Sequence, residues 1–158
     1  MNALIPFLIF CQALGALVGA ITAVWGELAY LRALKDGKVD MAERAHLLII
    51  ARGLRFGMTL LLLSSLGLIV AAYALSAPQP ALTASYWTLI ALSLLIVSIS
   101  WALSRRHISF ALGSATIFTA WWFLVYLSFG WIPLASFGAA VMSFVVATAI
   151  FYAILQYA

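Results

Sequence analysis

Charge is what this chain has least of. Of 158 residues, eight are Lys or Arg and four are Asp or Glu, so charged side chains make up 8% of the total. A soluble domain carries about 25%. Hydrophobic residues reach 67% and mean hydropathy is +1.19. No soluble core hides that much apolar surface, so lipid must solvate most of it. Cysteine is nearly absent as well. Cys11 stands alone inside an apolar run, which excludes a disulfide framework and a cysteine-based zinc site. The four prolines and the two histidines leave few turn signals and few imidazole ligands. The net charge of +4 and pI near 9.6 would suit nucleic acid. Here the basic residues flank apolar runs, and membrane topology explains them without a nucleic-acid partner.

What is present is five long apolar segments: about 3–34, 41–76, 82–104, 108–129 and 134–156. Each contains an uncharged stretch near the ~20 residues that cross a bilayer as a helix. Backbone groups in lipid must be paired internally, and runs of this length without alternation exclude barrel strands. The expected fold is therefore all-α: one transmembrane domain over residues 1–158, a bundle of five helices. Met1 to Gly26 is too long for a signal peptide and has no basic residue before it, so it reads as a permanent first span.

The connections are short. Asp36-Gly37-Lys38-Val39-Asp40 reads as a turn, with Gly37 as a C-cap and Asp40 with Glu43 opening the second helix. Pro78 and Pro80 break the next connection, Ser104-Arg105-Arg106-His107 links spans three and four, and Gly130-Trp131-Ile132-Pro133 makes the last turn. All the Lys and Arg fall in or beside the 1–2 and 3–4 connections, so the positive-inside rule places these in the cytoplasm. The N-terminus is then outside and Ala158 inside, in a cytoplasmic (inner) membrane. Tyr86, Trp87, Phe129 and Trp131 form the outer aromatic boundary, and Trp25, Tyr30, Trp101, Tyr152 and Tyr157 the inner one. Helix two is uncharged only from Phe56, so about 15 residues, roughly 20 Å, project with the end of helix one as a cytoplasmic hairpin.

Chemistry concentrates in a few polar residues. Cys11, Gly15, Gly19 and Ala23 recur every four residues as a small-residue ridge, and Glu27 is its next step, pointing into the bundle. Measured from the 36–40 turn, Glu27 stands level with Ile49 or Ile50, within a turn of Arg52. It reads either as a proton- or cation-handling carboxylate or as an ion-pair partner of Arg52 or Arg55. Gln12 shares the Glu27 face and reads as a site-lining amide or an interhelical hydrogen bond. His46 and His107 would have to reach one level to share a metal or haem, and numbering sets them about 15 Å apart in height. Arg52, Arg55, Arg105 and Arg106 form a basic belt suited to anionic lipid headgroups or to a phosphorylated or carboxylated metabolite. In span four, Ser109, Gly113, Thr116 and Ala120 make a small stripe beside Trp121-Trp122. No Walker motif, nucleophile elbow, HExxH motif or Cys pair occurs.

From Gln12 through Leu75, a small-residue-rich span ends in Trp25-Gly26-Glu27-Leu28-Ala29-Tyr30-Leu31-Arg32. A charged turn follows, then Arg52-Gly53-Leu54-Arg55 opens a span ending in Gly67-Leu68. This pattern resembles the copper-resistance-D-like small membrane proteins, a grouping similar to the membrane-bound protoporphyrinogen oxidases. It is most similar to an uncharacterised branch from ultra-small bacteria, which Ser109-Phe110-Ala111-Leu112-Gly113-Ser114 also fits. The resemblance implies a helical membrane fold and an association with haem b or copper. The first-span histidine of the better-known members corresponds to Gln12 here. The residues themselves lead to a non-catalytic inner-membrane protein with a structural or accessory role, partnered by lipid, another membrane protein or a second copy. A haem- or redox-associated protein and a small proton-coupled solute transporter using Glu27 stand as alternatives.

Overall fold

The computed structural model describes residues 3–36, 41–105, 107–131 and 136–157, with side-chain surroundings for those outside 30–50 and 155–157. The described residues form five long helices and no strand: α1 (Leu4–Asp36), α2 (Met41–Ala74), α3 (Ala84–Ser104), α4 (Phe110–Ser128) and α5 (Phe137–Tyr157), with a short 3₁₀ turn at Pro80–Leu82. All five are long and apolar enough to cross a membrane. The protein is thus an all-α, multi-pass membrane bundle. The apolar windows of α1 and α2 are Leu4–Ala29 and Ala51–Ala74, so both helices run on past them toward their shared connection. The turn at 37–40, the residues 132–135 of the last turn, and Arg106 lie outside the described residues.

Local chemistry sets the helix ends. Ser76 adopts φ 51°, the left-handed conformation that closes α2 ahead of the two prolines. Thr83 caps α3 by accepting from the Tyr86 N–H at 3.2 Å, while its own hydroxyl donates to the Pro80 carbonyl at 2.7 Å. The Trp87 indole ties down the same connection by donating to the Ala81 carbonyl at 2.8 Å. Ser109 caps α4 through the Leu112 N–H. Gly130 takes φ +67° after α4, a conformation that favours glycine.

The most extensive packing joins α1 to α2. Their seam is closed by glycine. A Cβ on Gly15 would lie 2.8 Å from the Gly57 carbonyl oxygen and 2.8 Å from the Leu61 nitrogen. One on Gly57 would lie 2.8 Å from the Gly15 carbonyl oxygen and 2.9 Å from the Gly19 nitrogen. Two backbones therefore touch with nothing between them, as small-residue ridges permit. The other neighbours along the seam are Leu8–Gly67, Gln12–Ser65 and Thr22–Gly53. All keep one antiparallel register, and continuing it sets Glu27 level with residues 49 and 50.

Helix α4 holds the rest together by packing on α1, α3 and α5. Trp121, fully buried, lays the benzo edge of its indole on Gly19, where any side chain would collide with it. Around it gather Ala16, Ala20, Leu61, Leu89, Leu92, Ile96, Ala120 and Leu124. Gly113 lets Leu103 of α3 approach, since a Cβ there would lie 2.6 Å from Leu103 Cδ2. Helices α3 and α5 have open outer faces, exposing Leu94, Val97, Met142, Val145, Val146 and Ile150. That distribution suits a bundle whose surface meets lipid.

Backbone-to-backbone contact leaves no flexible group to give way. Gly57→Ala should lower bundle stability by about 1–3 kcal/mol. Gly67→Ala meets only the Leu8 methyl at 3.1 Å, and Gly138→Ala only Ser136 Oγ at 4.0 Å, so both should cost far less. Detergent-titrated unfolding of the three variants ranks them, and equal midpoints would show that the seam does not carry the fold.

Candidate functional site

Hydroxyls inside a membrane helix have one cheap partner, the carbonyl a turn back. Ser64, Ser65, Thr88, Ser93, Ser98 and Thr116 all take it, donating to Leu60, Leu61, Ala84, Leu89, Leu94 and Leu112 at 2.7–2.9 Å. Ser114 departs from this pattern. Its hydroxyl leaves α4 and donates to Oε1 of Glu27 on α1. Ser114 is 5% exposed and Glu27 half-buried, so the contact lies within the α1–α4 interface. Glu27 is two residues inside the end of the α1 apolar window, and Ser114 sits in the second turn of α4. The contact therefore marks the end of the bundle where the charged connections lie.

The ion pair expected between Glu27 and Arg52 or Arg55 is not among the contacts of the described residues. Helix geometry accounts for it. Gly53 and Gly57 turn toward α1, where Gly53 meets Thr22. At about 100° per residue, Arg52 is rotated off that face by one step and Arg55 by two. Both are exposed. Long cationic side chains so placed reach for the membrane surface.

Gln12 lies at the other end of α1 and makes the interhelical bond. Its Nε2 donates to Ser65 Oγ at 3.1 Å, while Ser65, fully buried, donates its own hydroxyl to the Leu61 carbonyl at 2.7 Å. With the serine proton committed to Leu61, the amide must act as donor. The two polar groups of the α1 face thus serve different neighbours: Gln12 binds α2 and Glu27 binds α4.

The remaining candidates do not converge on these. His107 is exposed at the α3–α4 connection, its ring 6.0 Å from that of Trp101. Arg105 lies over the same indole at 5.6 Å. The side chain of His46, like Arg106, is outside the described residues. Trp122 is half-buried and neighbours the Phe118 and Tyr126 rings, whereas Trp121 is core. Trp121 Nε1, Ser128 Oγ and Thr148 Oγ1 are buried with no hydrogen-bond partner. Among the described residues no group of three or more His, Cys, Asp or Glu could hold a metal ion. A haem held between α1 and α2 from the Gln12 position does not fit these residues either. The amide is engaged by Ser65, and one turn on, the Gly15 and Gly57 backbones close the seam.

Sequence reasoning did not single out Ser65 or Ser114 as partners. The available signal was depth: each serine falls at the height of the one amide or carboxyl on the first span. Chemically, the Glu27–Ser114 contact can exist with the carboxyl charged or neutral, because Oε1 accepts in both states.

A double-mutant cycle of Glu27→Ala and Ser114→Ala should return a coupling of about 0.5–2 kcal/mol. The cycle of Glu27→Ala with Arg52→Gln should return none. A larger coupling to Arg52 than to Ser114 would restore the ion pair as the carboxylate's partner. Comparison with known proteins leaves this geometry to speak for itself: no protein-family model, no curated protein and no solved structure matches the chain.

Proposed function

We propose that the protein is a non-catalytic, multi-pass component of the cytoplasmic membrane, with its N-terminus outside and Ala158 inside, serving a structural or accessory role. The observation that carries this reading is how the polar side chains of α1 are used. Gln12 and Glu27 are each engaged by a serine of a neighbouring helix, so α1 acts as a fastener between α2 and α4. The apolar outer faces of α3 and α5 are open to lipid, to another membrane protein or to a second copy.

The orientation rests on the basic connections. In a Cys11→Ala background, a cysteine at Gln79 should react with an impermeant maleimide in intact cells. A cysteine at Lys38 should react only after permeabilisation. The reverse pattern would invert the topology.

A second reading, a small proton-coupled solute transporter, is favoured by one feature. The Glu27 carboxyl meets a hydroxyl, and among the described residues no guanidinium pairs with it. An ionisable group within a span is a functional candidate by default. Proteoliposomes loaded with a pH-sensitive dye discriminate the two readings. Proton-coupled flux that Glu27→Gln abolishes, in a variant that keeps its unfolding midpoint, establishes transport. A Glu27→Gln variant that loses stability without any wild-type flux leaves the fastener role.

A further inference from the structure

We propose that the α3–α4 connection holds an anionic glycerophospholipid, with its phosphate on Arg105 and His107 and its acyl chains along one face of α3. The proposal rests on the chain spanning a bilayer and not on its accessory role.

The headgroup end is built around one ring. Arg105 places its guanidinium carbon 5.6 Å from the centre of the Trp101 indole, within the range of a cation–π contact. The His107 imidazole gathers on the same indole, with centroids 6.0 Å apart. Backbone bonds fix the chain on both sides of the arginine: the Arg105 N–H donates to the Trp101 carbonyl at 3.1 Å, and the His107 N–H to the Ala102 carbonyl at 3.0 Å. The two donors therefore sit on a braced turn, and both are exposed. Glu27, the acid whose surroundings are described, is engaged by Ser114 and does not compete for them. Guanidinium and imidazole N–H groups together suit a phosphate diester, which carries one negative charge and acceptor oxygens.

The tail end follows from helical spacing. Leu94, Val97 and Trp101 precede Arg105 by steps of three, four and four residues, which puts all of them on one face of α3. The three are 61%, 52% and 58% exposed. The face is thus an apolar strip with a cation at its end, the outline of one lipid: charge at the span boundary and hydrocarbon beneath it. A free phosphate would use the cationic end and leave the strip uncovered.

Native mass spectrometry of the full chain in detergent, titrated with phosphatidylglycerol and phosphatidylcholine, tests this. Retained phosphatidylglycerol should exceed phosphatidylcholine, and Arg105→Gln should reduce it about five-fold, the effect of one basic residue at a membrane surface. Trp101→Leu should reduce it as well, because it removes the indole on which Arg105 and His107 gather and keeps the charge, while Arg105→Lys should recover part of the loss. Lys38→Gln, which deletes the same charge from the other connection, should leave it within about two-fold, since basic residues act near the surface they occupy. An equal loss in Lys38→Gln would replace the site with diffuse electrostatics. Unchanged retention in Arg105→Gln and Trp101→Leu would remove it altogether. Displacement of the lipid by millimolar inorganic phosphate would make it a soluble-phosphate site.

Discussion

The bundle depends on two backbones touching. In water, burying apolar side chains would drive α1 onto α2, but lipid tails are as apolar as leucine and supply no such drive. What remains is close packing and hydrogen bonding. Gly15, Gly19 and Gly57 let the main chains meet directly, so many weak dispersion contacts form along one line. Gln12 with Ser65 then fixes the register of that line, because sliding by one residue would carry a buried serine away from its amide.

A second interface is built on a different plan. Where α1 meets α4, one large ring fills the space opposite a glycine: Trp121 rests on Gly19, and the serine–carboxyl contact lies two turns away at the end of the span. Gly19 serves both seams, since the Gly57 backbone approaches it as well. The α1 ridge is therefore the junction of the fold, with α2 against its glycines and α4 against its glycine and its acid. Helix α4 passes the contact on to α3 and α5, which complete the outside and leave most of their surface to the membrane.

Much of this was legible in the sequence because lipid narrows the alternatives. The spacing of uncharged runs yields the five helices, and the Cys11–Gly15–Gly19–Ala23 ridge announces a close approach. Counting back from the 36–40 connection reproduces the α1–α2 register, since a short turn ties height on one helix to height on the next. What resisted was rotation. Numbering places Arg52 within a turn of Glu27 in height, yet the Gly53–Gly57 ridge decides which side of α2 faces α1, and that turns both arginines away. Nor does composition distinguish Ser114 from the serines that bond back to their own helices. Only the arrangement of α4 beside α1 does so.

That rotation gives the Glu27 carboxyl its character. Had Arg52 or Arg55 faced it, an ion pair would bind α1 to α2; its partner among the described residues, Ser114, ties α1 to α4 instead. Ser114 can donate to the carboxylate or to the carbonyl oxygen of the neutral acid, and the charged form makes the stronger hydrogen bond. Loss of this contact would therefore act on the α1–α4 interface, while the glycine seam to α2 stays in place. Helix α1 is thus held to α2 by backbone packing and to α4 by a buried ring and one polar contact at the end of the span.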